Sequence, residues 1–213
     1  MWFDERDDPP DWKPAERALK KADPVMKTII KQVGPCTLAP MKKPFETLVG
    51  SIFSQQLSVA GALTLFKRFK DHLPRKRLSP QAVHDALTGG LDDETVKKCG
   101  ISRQKRSYLV DLSEHLLDKR LNLRKLETVS DEVAIELLTD VRGIGEWTAQ
   151  MYLMFVLCRP DVLPVLDLGL QEAMKLSYGL AERPKPKELP ALCEHFAPYR
   201  SVATWYLWRS KEG

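Results

Sequence analysis

Apolar residues recur at three- and four-residue spacing along nearly the whole of this 213-residue chain, and that rhythm confines it to an all-α fold. Proline and small polar residues punctuate the rhythm where helices should begin. Asp23 before Pro24 reads as a cap followed by proline at the first helical position, where its missing N–H is harmless. Val25, Ile29 and Val33 then follow at four-residue spacing, and Gly34-Pro35 ends the run. Pro44 opens a second helix with Phe45, Leu48, Val49 and Ile52 on its apolar side, and Ser58 to Phe69 forms a third. Ser79-Pro80 starts a short helix ending near Gly89-Gly90. Ser102 caps one with Leu109, Leu112 and Leu116 inward, and Ser130 precedes Val133, Ala134, Leu137 and Leu138. Trp147 to Cys158 is apolar on nearly every side, the pattern of a buried central helix closed by Arg159-Pro160. Leu168–Ser177 and Tyr199–Arg209 complete the series, with a loop at Arg183–Lys187 between them. There is no strand series, internal repeat or low-complexity tract.

The apolar fraction of 43% supports a real core, and no apolar run approaches a membrane span. The opening MWFDERDDPP is acidic and lacks an apolar signal region, so the chain is expected inside the cell, in cytoplasm or nucleoid, or in a nucleus if eukaryotic. Cys36, Cys99, Cys158 and Cys193 stand far apart with no CxxC pair, which argues for buried free thiols and against a metal or iron–sulfur site. Net charge is +4, unevenly spread: residues 1–11 carry five acids and one base, 64–77 six bases and one acid, 97–125 nine bases and three acids. Such basic zones suit a polyanion, although each also reads as a solvated helix face.

Between two helical patterns lies Val141-Arg-Gly-Ile-Gly-Glu-Trp-Thr-Ala-Gln150. Gly143 and Gly145 can take turn geometries closed to other residues and let the backbone approach another surface. N–H groups at the start of the next helix then suit a phosphate. The same turn also serves to join two packed helices. Four blocks, FETLVGSIFSQQLS (45–58), CGISRQKRSYLVDL (99–112), VRGIGEWTAQMYLMF (141–155) with VLPVLDLGL (162–170), and PYRSVATWYLW (198–208), together resemble the helix-hairpin-helix superfamily of DNA glycosylases, most closely its 3-methyladenine DNA glycosylase II branch. The resemblance implies one glycosylase unit over 1–213 with two helical lobes and an active site in the cleft between them. One lobe is expected over about 44–160, including the helix-hairpin-helix at 131–158, and the other over about 1–43 plus 161–213. Only about 40 residues precede the first block, so the chain resembles a compact form lacking the sheet-containing region of larger relatives.

The resemblance places the catalytic aspartate at Asp167, which on its own also reads as a helix cap. A helix start favours the charged carboxylate, which would steady an oxocarbenium-like sugar or activate water. Asp161 is the local competitor and reads as a turn residue. Relatives that also cut the backbone carry a lysine where this chain has Trp147, so a monofunctional enzyme is expected. Trp147 would instead face an electron-poor alkylated purine, with core as its alternative. Met151, Phe45 and Phe196 complete the expected base pocket, Phe196 standing where relatives have a tryptophan. Trp205 and Trp208 read as core of the last helix.

The resemblance implies base flipping, with Gln56 or its neighbour Leu57 filling the gap; Gln55 and Gln56 also read as helix-end capping residues. Gly143, Gly145, Thr148, Ser102 and Lys105 are the remaining expected DNA contacts, and Ser102, Arg103 and Lys105 equally read as a solvated helix start. The implied partner is double-stranded DNA containing alkylated bases, bound by a monomer without a membrane. No metal or cofactor is expected for catalysis, and a monovalent cation on hairpin carbonyls is allowed by the resemblance. The expected activity is excision of alkylated purines, 3-methyladenine foremost. The rival readings are a glycosylase of the same fold for another damaged base and a non-catalytic damage-binding module.

Overall fold

The computed structural model describes residues 6–211; Asp4 and Glu5 of the acidic opening lie outside them. The α-helices run α1 Lys13–Ala22, α2 Pro24–Val33, α3 Pro44–Ser54, α4 Val59–Asp71, α5 Pro80–Asp85, α6 Asp93–Lys98, α7 Arg103–Leu117, α8 Asp131–Thr139, α9 Glu146–Phe155, α10 Leu168–Tyr178, α11 Leu189–Leu192 and α12 Arg200–Arg209. Among the described residues the extended pairing is confined to one isolated bridge, Arg6 with Met41. None of the described helices is long and apolar enough to cross a membrane.

The caps anticipated at the helix starts are made. Asp23 Oδ1 accepts the Met26 N–H at 2.6 Å, Ser79 Oγ the Ala82 N–H at 3.1 Å, and Ser102 Oγ the Lys105 N–H at 3.2 Å. Each satisfies an N–H that the first helical turn leaves without a partner.

The chain divides into two compact units. The first comprises Arg6 and Met41–Tyr152; the second comprises residues 7–40 and 153–211. This boundary differs from the one drawn at residue 160. Arg159-Pro160 follows a helix that has already ended at Phe155, where Cys158 turns left-handed (φ 49°) and the Arg159 N–H bonds back to the Leu153 carbonyl. From Leu153 onward the side chains belong to the second unit, as when Phe155 stacks on Trp208.

In the first unit α3 packs on α4 and α7, and α5 on α7. Phe53 meets Phe66 edge-on at 5.5 Å and lies tilted against Phe69 at 5.7 Å. With Leu48, Ile52, Leu109 and Leu112 they form a core whose large-to-small substitutions cost about 2–5 kcal/mol each.

In the second unit α12 packs against α1, α2 and α10, which is why every residue from Ser201 to Leu207 is buried. The Tyr206 hydroxyl reaches both Glu16 Oε1 (3.0 Å) and the Gly34 carbonyl (2.9 Å), and Glu16 Oε1 accepts the Cys36 N–H. Burial pushes the Tyr206 phenol well above its usual range.

Candidate active site

The hairpin between α8 and α9 is held from below by one face of α7. Tyr108, Asp111 and His115 recur there at spacings of three and four. Asp111 Oδ2 accepts the Arg142 N–H at 2.8 Å, and His115 Nε2 lies 3.1 Å from Asp140 Oδ2. Gly143 has φ +85°, and a Cβ there would stand 2.2 Å from the Tyr108 ring, so glycine is required twice over. Gly145 is different: a Cβ would meet nothing within 4 Å. Its carbonyl accepts the Ala149 N–H, so it caps α9 without a side chain, and such a helix start suits an acceptor supplied from outside.

The α3–α4 loop is tied to the same hairpin. Gln55 Nε2 donates to the Gly143 carbonyl at 2.8 Å, which makes Gln55 a positioning residue. Gln56 beside it has a left-handed backbone (φ 62°) and an exposed side chain, and Leu57 is 41% exposed. These two are thus presented outward beside the hairpin. Lys105 has another use than the expected phosphate contact. Its Nζ donates to the Phe53 carbonyl at 2.8 Å, at the end of α3, and burial lowers its pKa. Ser102 is exposed and engaged as the cap of α7. The basic zones are partly neutralised within the unit, by Lys70–Glu46, Lys76–Asp71, Lys98–Glu94 and Arg106–Asp93 pairs.

Trp147 is 42% exposed in the first turn of α9, so the core alternative does not describe it. Thr148 and Met151 are half-buried on the same helix. Phe45 stands apart. It lines a cavity of about 390 Å³ with Lys43, Lys70, Lys76 and Arg77 at the start of α3, and about 14 Å of helix separates it from the Gln55 end.

In the second unit Asp167 caps α10 and is 9% exposed. Its Oδ1 accepts two hydrogen bonds, from the Leu170 N–H at 2.5 Å and from Trp208 Nε1 at 2.9 Å. Charge-assisted bonds of this kind are about twice as strong as neutral ones and fix the rotamer. The indole is fixed in turn by Phe155, stacked at 5.8 Å with 16° between the planes. Leu166 and Leu168, its neighbours in sequence, are exposed. Sequence reading assigned Trp208 to the core. The bond that gives it another role spans 41 positions and leaves no local signal. Trp205, by contrast, is core: 4% exposed and edge-on to Tyr206.

Asp161 is a turn residue, as read. Arg200 grips both its oxygens, Nε to Oδ1 at 2.8 Å and Nη2 to Oδ2 at 2.7 Å, and the Arg200 backbone N–H adds a third bond. Phe196 is 1% exposed and packs on His195 at 4.1 Å. It lines a cavity of about 360 Å³ with Ala18, Leu19, Lys21 and Ala22, whose walls include neither Asp167 nor Trp208. The aromatic ring that stands beside the carboxylate is therefore Trp208 and not Phe196. Among the described residues no group of three or more His, Cys, Asp or Glu side chains is placed to hold a metal. What the second unit offers chemically is a fixed anion able to steady a neighbouring positive charge and orient a water.

The chain is similar to known proteins along most of its length. The family described as HhH-GPD superfamily base excision DNA repair protein matches residues 49–198. The alkylbase DNA glycosidase-like protein mag2 of Schizosaccharomyces pombe is 32% identical over 208 residues, covering 93% of each chain. The structure of the S. pombe 3-methyladenine DNA glycosylase Mag1 in complex with abasic DNA is 32% identical with a TM-score of 0.82, over 94% of this chain and 98% of that one. A DNA-3-methyladenine glycosidase from Bacillus halodurans is 34% identical with a TM-score of 0.81, over 93% and 89%.

Proposed function

The chain belongs to the HhH-GPD superfamily of base excision DNA repair proteins, and from that premise we propose that it is the monofunctional member that removes alkylated purines, 3-methyladenine foremost, from duplex DNA. It is a base excision repair glycosylase that binds DNA and hydrolyses the N-glycosidic bond. The two relatives whose printed names specify 3-methyladenine support the finer choice of substrate.

The observation that carries the mechanism is the double grip on Asp167 Oδ1. The glycosidic C1′–N bond breaks with its electron pair leaving on the base, and the sugar becomes positive. A carboxylate already oriented by Leu170 and Trp208 stabilises that charge without reorganising. Water then adds its oxygen to C1′ and loses a proton to the carboxylate or to solvent. An alkylated purine is cationic or electron-poor, so it departs readily and is drawn to an aromatic face such as that of Trp147. Trp147 brings no amine to form a Schiff base, so the product is an intact abasic strand. Gln56 or Leu57, on the outward loop, fills the gap left by the flipped nucleotide. The protein acts as a monomer and needs no organic cofactor or catalytic metal; a monovalent cation on the hairpin carbonyls would serve DNA binding alone.

The test is release of free 3-methyladenine from methylated duplex DNA, with no covalent adduct on borohydride treatment. Binding without release would make the protein a damage-recognition module. A strong adduct would overturn monofunctionality.

A further inference from the structure

We infer that Gly169 is a positioning residue for the reaction, kept free of a side chain so that the Asp167 carboxylate and the Trp208 indole can meet. The inference rests on the reading of Asp167 as the catalytic anion. A Cβ built on Gly169 would lie 2.9 Å from Asp167 Oδ1, 3.2 Å from Trp208 Nε1 and 3.4 Å from Trp208 Cδ1. The backbone gives no reason for glycine, because the φ at 169 is outside the left-handed region and the position is the second residue of α10. There alanine would be the better helix former.

Capping gives no reason either. Asp23 caps α2 in the same way with Val25 at the matching position, and Asp92 caps α6 with Glu94 there. An aspartate cap therefore tolerates a full side chain two residues on. Those two caps take their second partner on Oδ2, His195 for Asp23 and the Thr95 hydroxyl for Asp92, whereas the second donor of Asp167 is an indole that comes to the capping oxygen itself and occupies the space a Cβ would take. The Phe155 stack keeps that indole from moving away easily. Any side chain at 169 must therefore push Oδ1 off one of its two donors, or push the indole off its stack.

Gly169→Ala is the variant that reads this out, by single-turnover excision of 3-methyladenine, DNA affinity and thermal unfolding. The expected result is a rate lowered by about ten- to a hundredfold, as small displacements of a reacting group produce, with DNA affinity within twofold and Tm unchanged or higher. An unchanged rate overturns the inference. Loss of Tm or DNA affinity alongside the rate also overturns it, since glycine would then serve the fold. A double-mutant cycle provides a second measurement. In a Trp208→Phe background, where the pyrrole edge is gone, Gly169→Ala should cost less than it does in the parent protein; full additivity would show that the indole is not what the glycine makes room for. Asp167→Asn run in parallel separates the two readings. If it retains activity, the assignment of Asp167 fails; if it is inactive while Gly169→Ala is fully active, only the present inference fails.

Discussion

The hairpin of the first unit and the carboxylate of the second are both held rigid, but at different chemical levels. In the hairpin the backbone is held: Asp111 takes an N–H, Gln55 gives a hydrogen bond to a carbonyl, and Tyr108 fills the place of a Cβ, while Gly145 stays open. In the second unit one side-chain oxygen is held, by a backbone N–H and an indole. A surface that grips phosphates without reading sequence needs a backbone of fixed shape. A group that steadies a transient charge needs its atoms fixed before the charge arises. Substitutions in the first unit should therefore act on affinity, and substitutions around Asp167 on rate.

The largest separation comes from Asp167→Asn. It should lower single-turnover excision by at least about 10²–10³-fold while leaving DNA affinity, read by fluorescence anisotropy, equal or tighter. A matching loss of affinity would break the contrast. Gly143→Ala comes next and acts in the opposite sense. Its left-handed φ and the Tyr108 ring at 2.2 Å make alanine cost about 1–3 kcal/mol. DNA affinity should fall about tenfold or more, with bound DNA still excised at close to the parent rate.

Trp208→Phe keeps an aromatic ring to stack on Phe155 and removes the pyrrole edge with its N–H to Asp167. A hydrogen bond to a charged group contributes about 1.5–3 kcal/mol, so the rate should fall tenfold or more with affinity unchanged. Gln55→Ala is the mildest. Removing its bond to the Gly143 carbonyl, worth about 0.5–1.5 kcal/mol, should weaken DNA binding several-fold and leave excision of saturated DNA intact. A rate effect there would mean that the loop and the hairpin serve chemistry as well as binding.

The helices and their caps were legible because they are written in local patterns: proline at a first turn, serine or aspartate just before it, apolar residues every third or fourth place. The catalytic candidate was legible through the ordered blocks around it. What escaped was long-range. Lys105 looked like a phosphate ligand until its ammonium was found on the Phe53 carbonyl 52 positions away. Trp208 looked like its neighbour Trp205, and only tertiary packing separates them. Phe45 and Phe196 were grouped by analogy with one pocket, but the structure gives each its own cavity: that of Phe45 at the start of α3, that of Phe196 with neither Asp167 nor Trp208 in its walls. The six-residue α6 was missed because it buries a single apolar side chain, Val96, too little for a periodic signal.

The cysteines carry a consequence for the protein's own survival. Methylating agents that damage purines also attack sulfur, and they attack the thiolate. Cys36, Cys99 and Cys193 are buried, and burial pushes the thiols of Cys36 and Cys193 up to about 12 and about 11 and raises that of Cys99 as well. At these three positions the folded protein offers almost no nucleophilic sulfur to such reagents.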